Sequence, residues 1–313
     1  VSALPIIIDC DPGIDDSVAI LVALASPELD LRGITVVSGN APLEVLVRNT
    51  LQIVELARRP EIAVYSGCFR PILRAPIRGQ FSGAGGLGRS VLPEPRKQAE
   101  PMHAVRFLVD TLSQAGGAGQ KITLCTMGPL TNIAAALRHG PAVGAGIERI
   151  VMMGGAFREA GNRTMTSEFN ILVDPHAAEI VFSSGLPITT LGLDATHQAI
   201  ATPERVARIR AAGGARAELV ADLLTFWDRK NVLRYGAFGG PLHDPLVILQ
   251  VLRPDLFQSE KARVFVQHES EVSMGHTIAD WWDKSGDPAN VDIVTKVDAE
   301  AVFAIIAERL GRT

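Results

Sequence analysis

Pro5-Ile-Ile-Ile-Asp9-Cys-Asp11-Pro-Gly-Ile-Asp15-Asp16 is an apolar run that empties into four aspartates within eight positions. Ile6, Ile7 and Ile8 are β-branched and uninterrupted, the pattern of a strand buried on both faces. Asp15 and Asp16 open the apolar stretch 17–25, whose length and composition suit a helix. The aspartates thus stand where a strand hands over to a helix. In an open α/β sheet, the carboxyl end of a strand is where ligands bind.

Carboxylates gathered at one point repel, and without a cation or shared protons the lost solvation costs several kcal/mol. A hard divalent ion such as Ca²⁺ or Mg²⁺ relieves this with oxygen ligands, and the segment offers nothing softer except Cys10, which alternation turns to the opposite face. A helix cap and first-turn acids would account for Asp15 or Asp16 alone, not for all four aspartates. An EF-hand loop fails, because counting from Asp9 puts Gly13 fifth and Ile20 twelfth. A haloacid-dehalogenase-like phosphatase also begins with an apolar strand and Asp-x-Asp. It carries Thr or Val two residues after the second aspartate, where this chain has Gly13, and it stays as the alternative.

The remainder of the chain describes an α/β protein: 313 residues, 47% apolar and 20% charged, enough for a sizeable core. A net charge of −4 without a Lys/Arg-rich block argues against nucleic acid as a partner. No stretch is long and apolar enough to span a bilayer, and the N-terminus lacks signal-peptide flanks, so the default expectation is a cytoplasmic protein. Cys10, Cys68 and Cys125 have no metal-type spacing and suit reduced thiols.

Strand patterns at 5–8, 31–38, 62–65, 122–126, 147–153 and 187–191 alternate with helical patterns at 17–25, 43–58, 101–114, 130–138 and 175–183. That alternation predicts an open, mostly parallel central sheet with helices on both faces, Rossmann-like in organisation. From 203 to 252 the pattern is mainly helical; short strands near 263–268 and 291–297 and a last helix from Asp298 follow. No linker or repeat interrupts residues 1–313, which read as one domain. Residues 67–101 have no periodicity and many Gly, Pro and Arg, including Ser82-Gly-Ala-Gly-Gly-Leu-Gly88. A loop of this length is either a cover over the site or an excursion without fixed structure.

Further segments turn the metal reading into a family likeness. They are Val37-Ser-Gly-Asn40, Met127-Gly-Pro-Leu-Thr-Asn132, the run from Met153-Gly-Gly-Ala-Phe through Gly161-Asn-Arg-Thr-Met-Thr-Ser-Glu168-Phe-Asn170 to Asp174-Pro175, His243-Asp244-Pro245, and Gly275-His-Thr-Ile-Ala-Asp280. In this order, after Asp-x-Asp-x-x-x-Asp-Asp, they closely resemble the inosine-uridine preferring nucleoside hydrolases, nearly end to end. The resemblance implies calcium-dependent hydrolysis of the N-glycosidic bond of a ribonucleoside to ribose and free base. It also implies one Ca²⁺ per subunit and a homodimer or homotetramer.

Matched motif to motif, the resemblance assigns the metal to Asp11, Asp16, the main-chain carbonyl of Met127 and Asp244. The family often has Thr where this chain has Met127, a change that leaves a backbone ligand in place. Asp11 would also be the general base for the attacking water, since calcium is a weak Lewis acid and needs a carboxylate beside it. Asp15, Asn40, Asn162, Glu168 and Asn170 would grip the ribose hydroxyls, with Met153 packed against the sugar. His243, beside a metal ligand, would assist departure of the base, an effect of about 10²–10⁴ in rate. Asn231 and Tyr235 would line the base side of the pocket. Two features pull base preference in opposite directions: Tyr235 resembles a contact of pyrimidine-preferring members, whereas Ser82 stands where many members carry a histidine. The base is left open. Trp281-Trp282 either stacks on a nucleobase or fills core. The remaining histidines, His197 among them, read as structural or surface residues. A metal-dependent nucleoside-binding protein without catalysis is the other alternative to the enzyme.

Overall fold

The computed structural model describes residues 3–79, 83, 85–226 and 239–311. Its strands are β1 Leu4–Cys10, β2 Leu29–Val36, β3 Val64–Ser66, β4 Ile122–Thr126, β5 Ile147–Met153, β6 Ile188–Leu191, β7 Phe257–Val266, β8 Thr277–Asp280 and β9 Val291–Val297. They form one nine-stranded sheet in the order β3-β2-β1-β4-β5-β6-β9-β7-β8. β1 to β6 and β9 run parallel, and β7 and β8 close one edge antiparallel. The expected open, mostly parallel sheet is therefore the one found.

Helices α1 Ile14–Leu24, α2 Leu43–Leu56, α3 Ala104–Gly117, α4 Thr131–Leu137, α5 Pro141–Ala145, α6 Phe169–Val173, α7 Pro175–Phe182, α8 Leu193–Thr196, α9 Pro203–Ala211, α10 Gly214–Leu224, α11 Pro245–Leu252 and α12 Ala299–Gly311 cover it. Alternation along β1 divides the core between the two faces. Ile6, Ile8 and Cys10 pack with α1, α2, α10, α11 and α12, whereas Ile7 packs with α3, α4 and α7. Both faces of β1 are thus buried, which is why its isoleucines run without a polar break.

The chain goes outward from β1 to β2 and β3, then returns across to β4 on the other side of β1. The order reverses between β1 and β4, so a crevice opens beyond their carboxyl ends. Asp11 follows β1 there, and Met127 follows β4.

Described parts of the 67–101 segment are fastened to this scaffold. Cys68 N donates to Asn132 Oδ1 at 2.8 Å, Ile72 N to Asp174 Oδ2 at 2.9 Å, and Asn49 Nδ2 donates to Gly85 O at 3.0 Å. Leu87 is buried. The neighbouring residues 80–82 and 84, and with them Ser82, lie outside the described residues. Trp281 is half-buried beneath the Arg158 guanidinium, which sits 3.9 Å from its ring centroid. Trp282 is 80% exposed, so of the two roles open to the pair, filling core fails for it.

Candidate active site

Alternation sends Asp9 to the same face as Ile7, where it is buried. Its Oδ1 accepts from Thr35 Oγ1 on β2 and from Asn132 Nδ2 on α4, while Oδ2 has no hydrogen-bond partner among the described residues. Burial pushes this carboxyl up to about 7, against the two hydrogen bonds, which pull it down. Asp9 therefore braces the strand that delivers Asp11.

Asp11 lies just past the end of β1 and is 1% exposed. Its Oδ2 accepts from Asn40 N at 2.7 Å, and Asn40 Nδ2 returns to Asp11 O at 3.0 Å. Asn40 thus holds the aspartate through its main-chain and side-chain N–H groups. Gly39 and Gly128 flank the carboxylate: a Cβ built on Gly39 would stand 2.2 Å from Oδ2, and one on Gly128 would stand 2.8 Å from Oδ1. Neither glycine is needed for a left-handed backbone, so both are there for close approach. Gly39→Ala is expected to drive the Asp11 carboxylate out of place and lower turnover by about 10²-fold, since misplacement of a reacting group by about 1 Å costs that much. Steady-state kinetics beside a thermal melt checks this. Wild-type turnover in a normally folded variant would show that the cradle does not set the position of Asp11.

Asp16 occupies the third position of α1 and caps it: Oδ2 accepts from Gly13 N at 3.0 Å and Oδ1 from Asp11 N at 3.1 Å. The helix begins at Ile14, earlier than the hydrophobic pattern alone suggests, because these bonds fix the chain at Asp11 and at the N-cap Gly13 as it enters the first turn. Asp244 sits at the N-cap of α11, so the amino ends of two helices, with their partial positive charge, face the carboxylates. Asp15, Asp16 and Asp244 each offer an oxygen within 4.8 Å of the others.

The electrostatic cost is visible in every group. Burial, reinforced by Asp16, holds Asp11 well above the usual carboxylate range, and burial with Asp16, Asp15 and Asp11 does the same to Asp244. Burial pushes Asp15 up to about 6; burial with the charge of Asp15 takes Asp16 to about 6. Asp16 and Asp244 stand within hydrogen-bonding reach, which two carboxylates tolerate only with a proton or a cation between them. None of these acids has a Lys or Arg partner among the described residues. Buried oxygens gathered without a protein cation are the donor set that a hard divalent metal takes.

The other expected residues converge here, with some in unforeseen roles. Asn170 Nδ2 donates to the carbonyl of Met127 at 2.8 Å and to that of Met153 at 3.3 Å, so it orients an expected ligand atom. Glu168 caps α6 through the amides of Asn170 and Ile171 and also accepts from Gly155 N at 3.2 Å; burial pushes it up to about 7. Asn162 Oδ1 accepts from Phe169 N at 3.0 Å. His243 N reaches Asp15 Oδ2 at 3.4 Å, its Nδ1 lies 2.8 Å from Thr196 Oγ1, and burial pushes the imidazole down to about 4. His197 is nearer the site than expected, with its ring centroid 6.2 Å from that of His243 and its Nδ1 3.6 Å from Glu159 Oε2. Asn231 and Tyr235 lie outside the described residues.

Sequence reasoning passed over Asn132, Asp174 and Thr196. Asp174 accepts from Thr131 Oγ1 at 2.7 Å and from Ala177 N at 3.0 Å, tying α4 and α7 to residue 72. Asn132 and Asp174 stand inside segments already singled out; Thr196 could have been found from its position just beyond β6.

A family model described as inosine-uridine preferring nucleoside hydrolase matches residues 6–304. An uncharacterised protein of Schizosaccharomyces pombe is 46% identical over 99% of both chains. The pyrimidine-specific ribonucleoside hydrolase RihA of Salmonella agona is 40% identical over 98% of both. Among solved structures, the purine-preferring ribonucleoside hydrolase from Gardnerella vaginalis superposes with a TM-score of 0.89 at 32% identity, covering 98% of each chain.

Proposed function

The chain belongs to the inosine-uridine preferring nucleoside hydrolase family, and we propose that it is the calcium-dependent ribonucleoside hydrolase its crevice is built for. It is an N-glycosidase; that much follows from membership and from relatives named for this activity. The ion and the residue roles are our reading. The observation that carries it is the gathering of Asp15, Asp16 and Asp244, with buried Asp11 beside Asp16 and no Lys or Arg partner for any of them among the described residues, at the point where the strand order reverses.

Asp11, Asp16, Asp244 and the Met127 carbonyl would hold the metal; Asp15, with an oxygen within 4.8 Å of those of Asp16 and Asp244, is close enough to contribute. When bound, the ion supplies positive charge that offsets the carboxylates and an anchor for the ribose diol. Asp11 takes a proton from the water that attacks C1′, and the electron pair of the C1′–N bond leaves with the base. Asp15, Asn40, Asn162, Glu168 and Asn170 surround the ribose hydroxyls, and Met153 packs against the ring. The buried acids favour the positive charge that develops on the sugar as the bond breaks. His243 meets the base as a neutral imidazole, because burial holds it near 4. It assists as a hydrogen-bond donor to the charge growing on the leaving group. Neither the phosphatase alternative nor its aspartyl intermediate fits a member of this family.

The test is release of reducing sugar from uridine and from inosine, with chelator and with Ca²⁺ or Mg²⁺ added back. Ribose from either nucleoside, lost on chelation and restored by Ca²⁺ more than by Mg²⁺, is the expected outcome, and the ratio of the two rates reports base preference. No ribose from a folded, calcium-loaded protein would favour nucleoside binding without catalysis. We also read the chain as one domain, cytoplasmic, and a homodimer or homotetramer. The free thiols of Cys10, Cys68 and Cys125 suit a reducing compartment. Exposed Phe69, Leu73, Met165 and Val272 supply apolar surface for association.

A further inference from the structure

We infer that Thr196 is a positioning residue that fixes His243 in the tautomer able to hydrogen-bond the departing base. This rests on the reading of His243 as the group facing that base.

Thr196 is the last residue of α8 and is fully buried. Its Oγ1 lies 2.8 Å from His243 Nδ1 and has no other hydrogen-bond partner among the described residues. A hydroxyl has one proton to give and lone pairs to receive. If Nδ1 carried the imidazole proton, the threonine O–H would be buried with no described residue to accept it, whereas a threonine that donates to Nδ1 leaves only lone pairs unmatched. An orphaned buried donor is the costlier arrangement. The hydroxyl therefore donates to Nδ1, and the neutral imidazole carries its proton on Nε2. No described residue pairs with Nε2, which leaves that N–H available to a ligand.

The anchor itself is rigid. Asp194, two residues before Thr196 on α8, accepts from the amides of Phe157, Arg158 and Glu159 at 2.9, 2.7 and 3.2 Å. The main chain of His243 is held by Asp15 and by the start of α11. Rotation of the imidazole about its own axis is the freedom left, and the threonine removes it.

Thr196→Val keeps the shape of the side chain and deletes the hydroxyl; Thr196→Ser keeps the hydroxyl. Both variants, with His243→Ala, are compared on the better of uridine and inosine and on p-nitrophenyl β-D-ribofuranoside, whose leaving group needs no assistance. The valine variant is expected to lose ~10–100-fold in kcat on the nucleoside with KM within about threefold, the range a single hydrogen bond spans. Its turnover of the nitrophenyl riboside stays near wild type, and the serine variant recovers most of the loss. Nitrogen-15 NMR of the wild type is expected to show His243 protonated on Nε2. Equal losses on both substrates would mean a merely structural threonine and would overturn the inference. So would an Nδ1 proton, or an unchanged valine variant where His243→Ala is impaired on the nucleoside. A His243→Ala variant that spares the nucleoside would instead remove the reading of His243 on which the inference stands.

Discussion

Asp11→Asn is expected to lower ribose release by about 10³–10⁴-fold, towards the upper limit for loss of a general base. The amide has the shape of the carboxylate and its oxygen can still accept from Asn40 N, now 2.7 Å from Asp11 Oδ2, so the crevice should keep its form. What the amide cannot do is take a proton from water. It also removes one negative charge from a group that raises the pKa of Asp244, so the metal-free variant is expected to be no less stable than wild type. Activity and stability thus move independently, and single-turnover kinetics beside a chemical melt would separate them. A variant with more than about a tenth of wild-type turnover would dismiss Asp11 as the base.

The stability of the metal-free protein is expected to fall as pH rises from about 6.5 to 8, and a divalent cation is expected to reverse that fall. Glu168 goes from 4.5 in the ordinary state to about 7 in the fold, Asp9 from 3.8 to about 7, and Asp11 and Asp244 are raised well above 3.8. Entering this window the folded protein still holds protons that the unfolded chain has already released, and Asp9 and Glu168 give theirs up as pH passes about 7. Stability therefore declines as pH rises through about 7, because a tenfold difference in proton affinity between fold and open chain is worth about 1.4 kcal/mol. His243 acts in the opposite sense, because its pKa is lowered to about 4, but its contribution is complete once pH passes the ordinary value of 6.5. Above that only the acids act. Added Ca²⁺ competes with protons for the same oxygens, so its stabilisation should be large near pH 8 and small near about pH 5.5. Thermal unfolding of the chelated protein across this pH range, with and without the ion, measures both trends. A flat profile, or equal stabilisation at both ends, would contradict the carboxylate cluster as the cation's seat.

Much of this architecture is legible in the chain because burial leaves a periodic trace. The β-branched run at 6–8 lies in a strand covered on both faces, and the alternation of strand and helix patterns up to residue 191 matches the parallel sheet. β8 leaves no such trace. It is a four-residue edge strand with only Thr277 buried, too short and too mixed for periodicity to mark it. The start of α1 escapes periodicity for a local reason, since it depends on which backbone amides Asp16 reaches. Asn170 shows the same limit: a motif marks it as important, but whether its amide faces a sugar or the Met127 carbonyl depends on the meeting of two loops.

The sequence by itself determined that a strand ends in clustered carboxylates, that a parallel sheet surrounds it, and which segments carry polar side chains suited to a metal and a ribose. These follow from periodicity and composition, which are properties of neighbouring residues. Tertiary structure alone decided that Asp9 is taken up by Thr35 and Asn132, that Gly39 and Gly128 cradle Asp11, and that Thr196 meets His243 from 47 residues away. Hydrogen bonds and close approaches act over about 3 Å, and which side chains come within that reach is set by the register of the sheet and the packing of helices upon it.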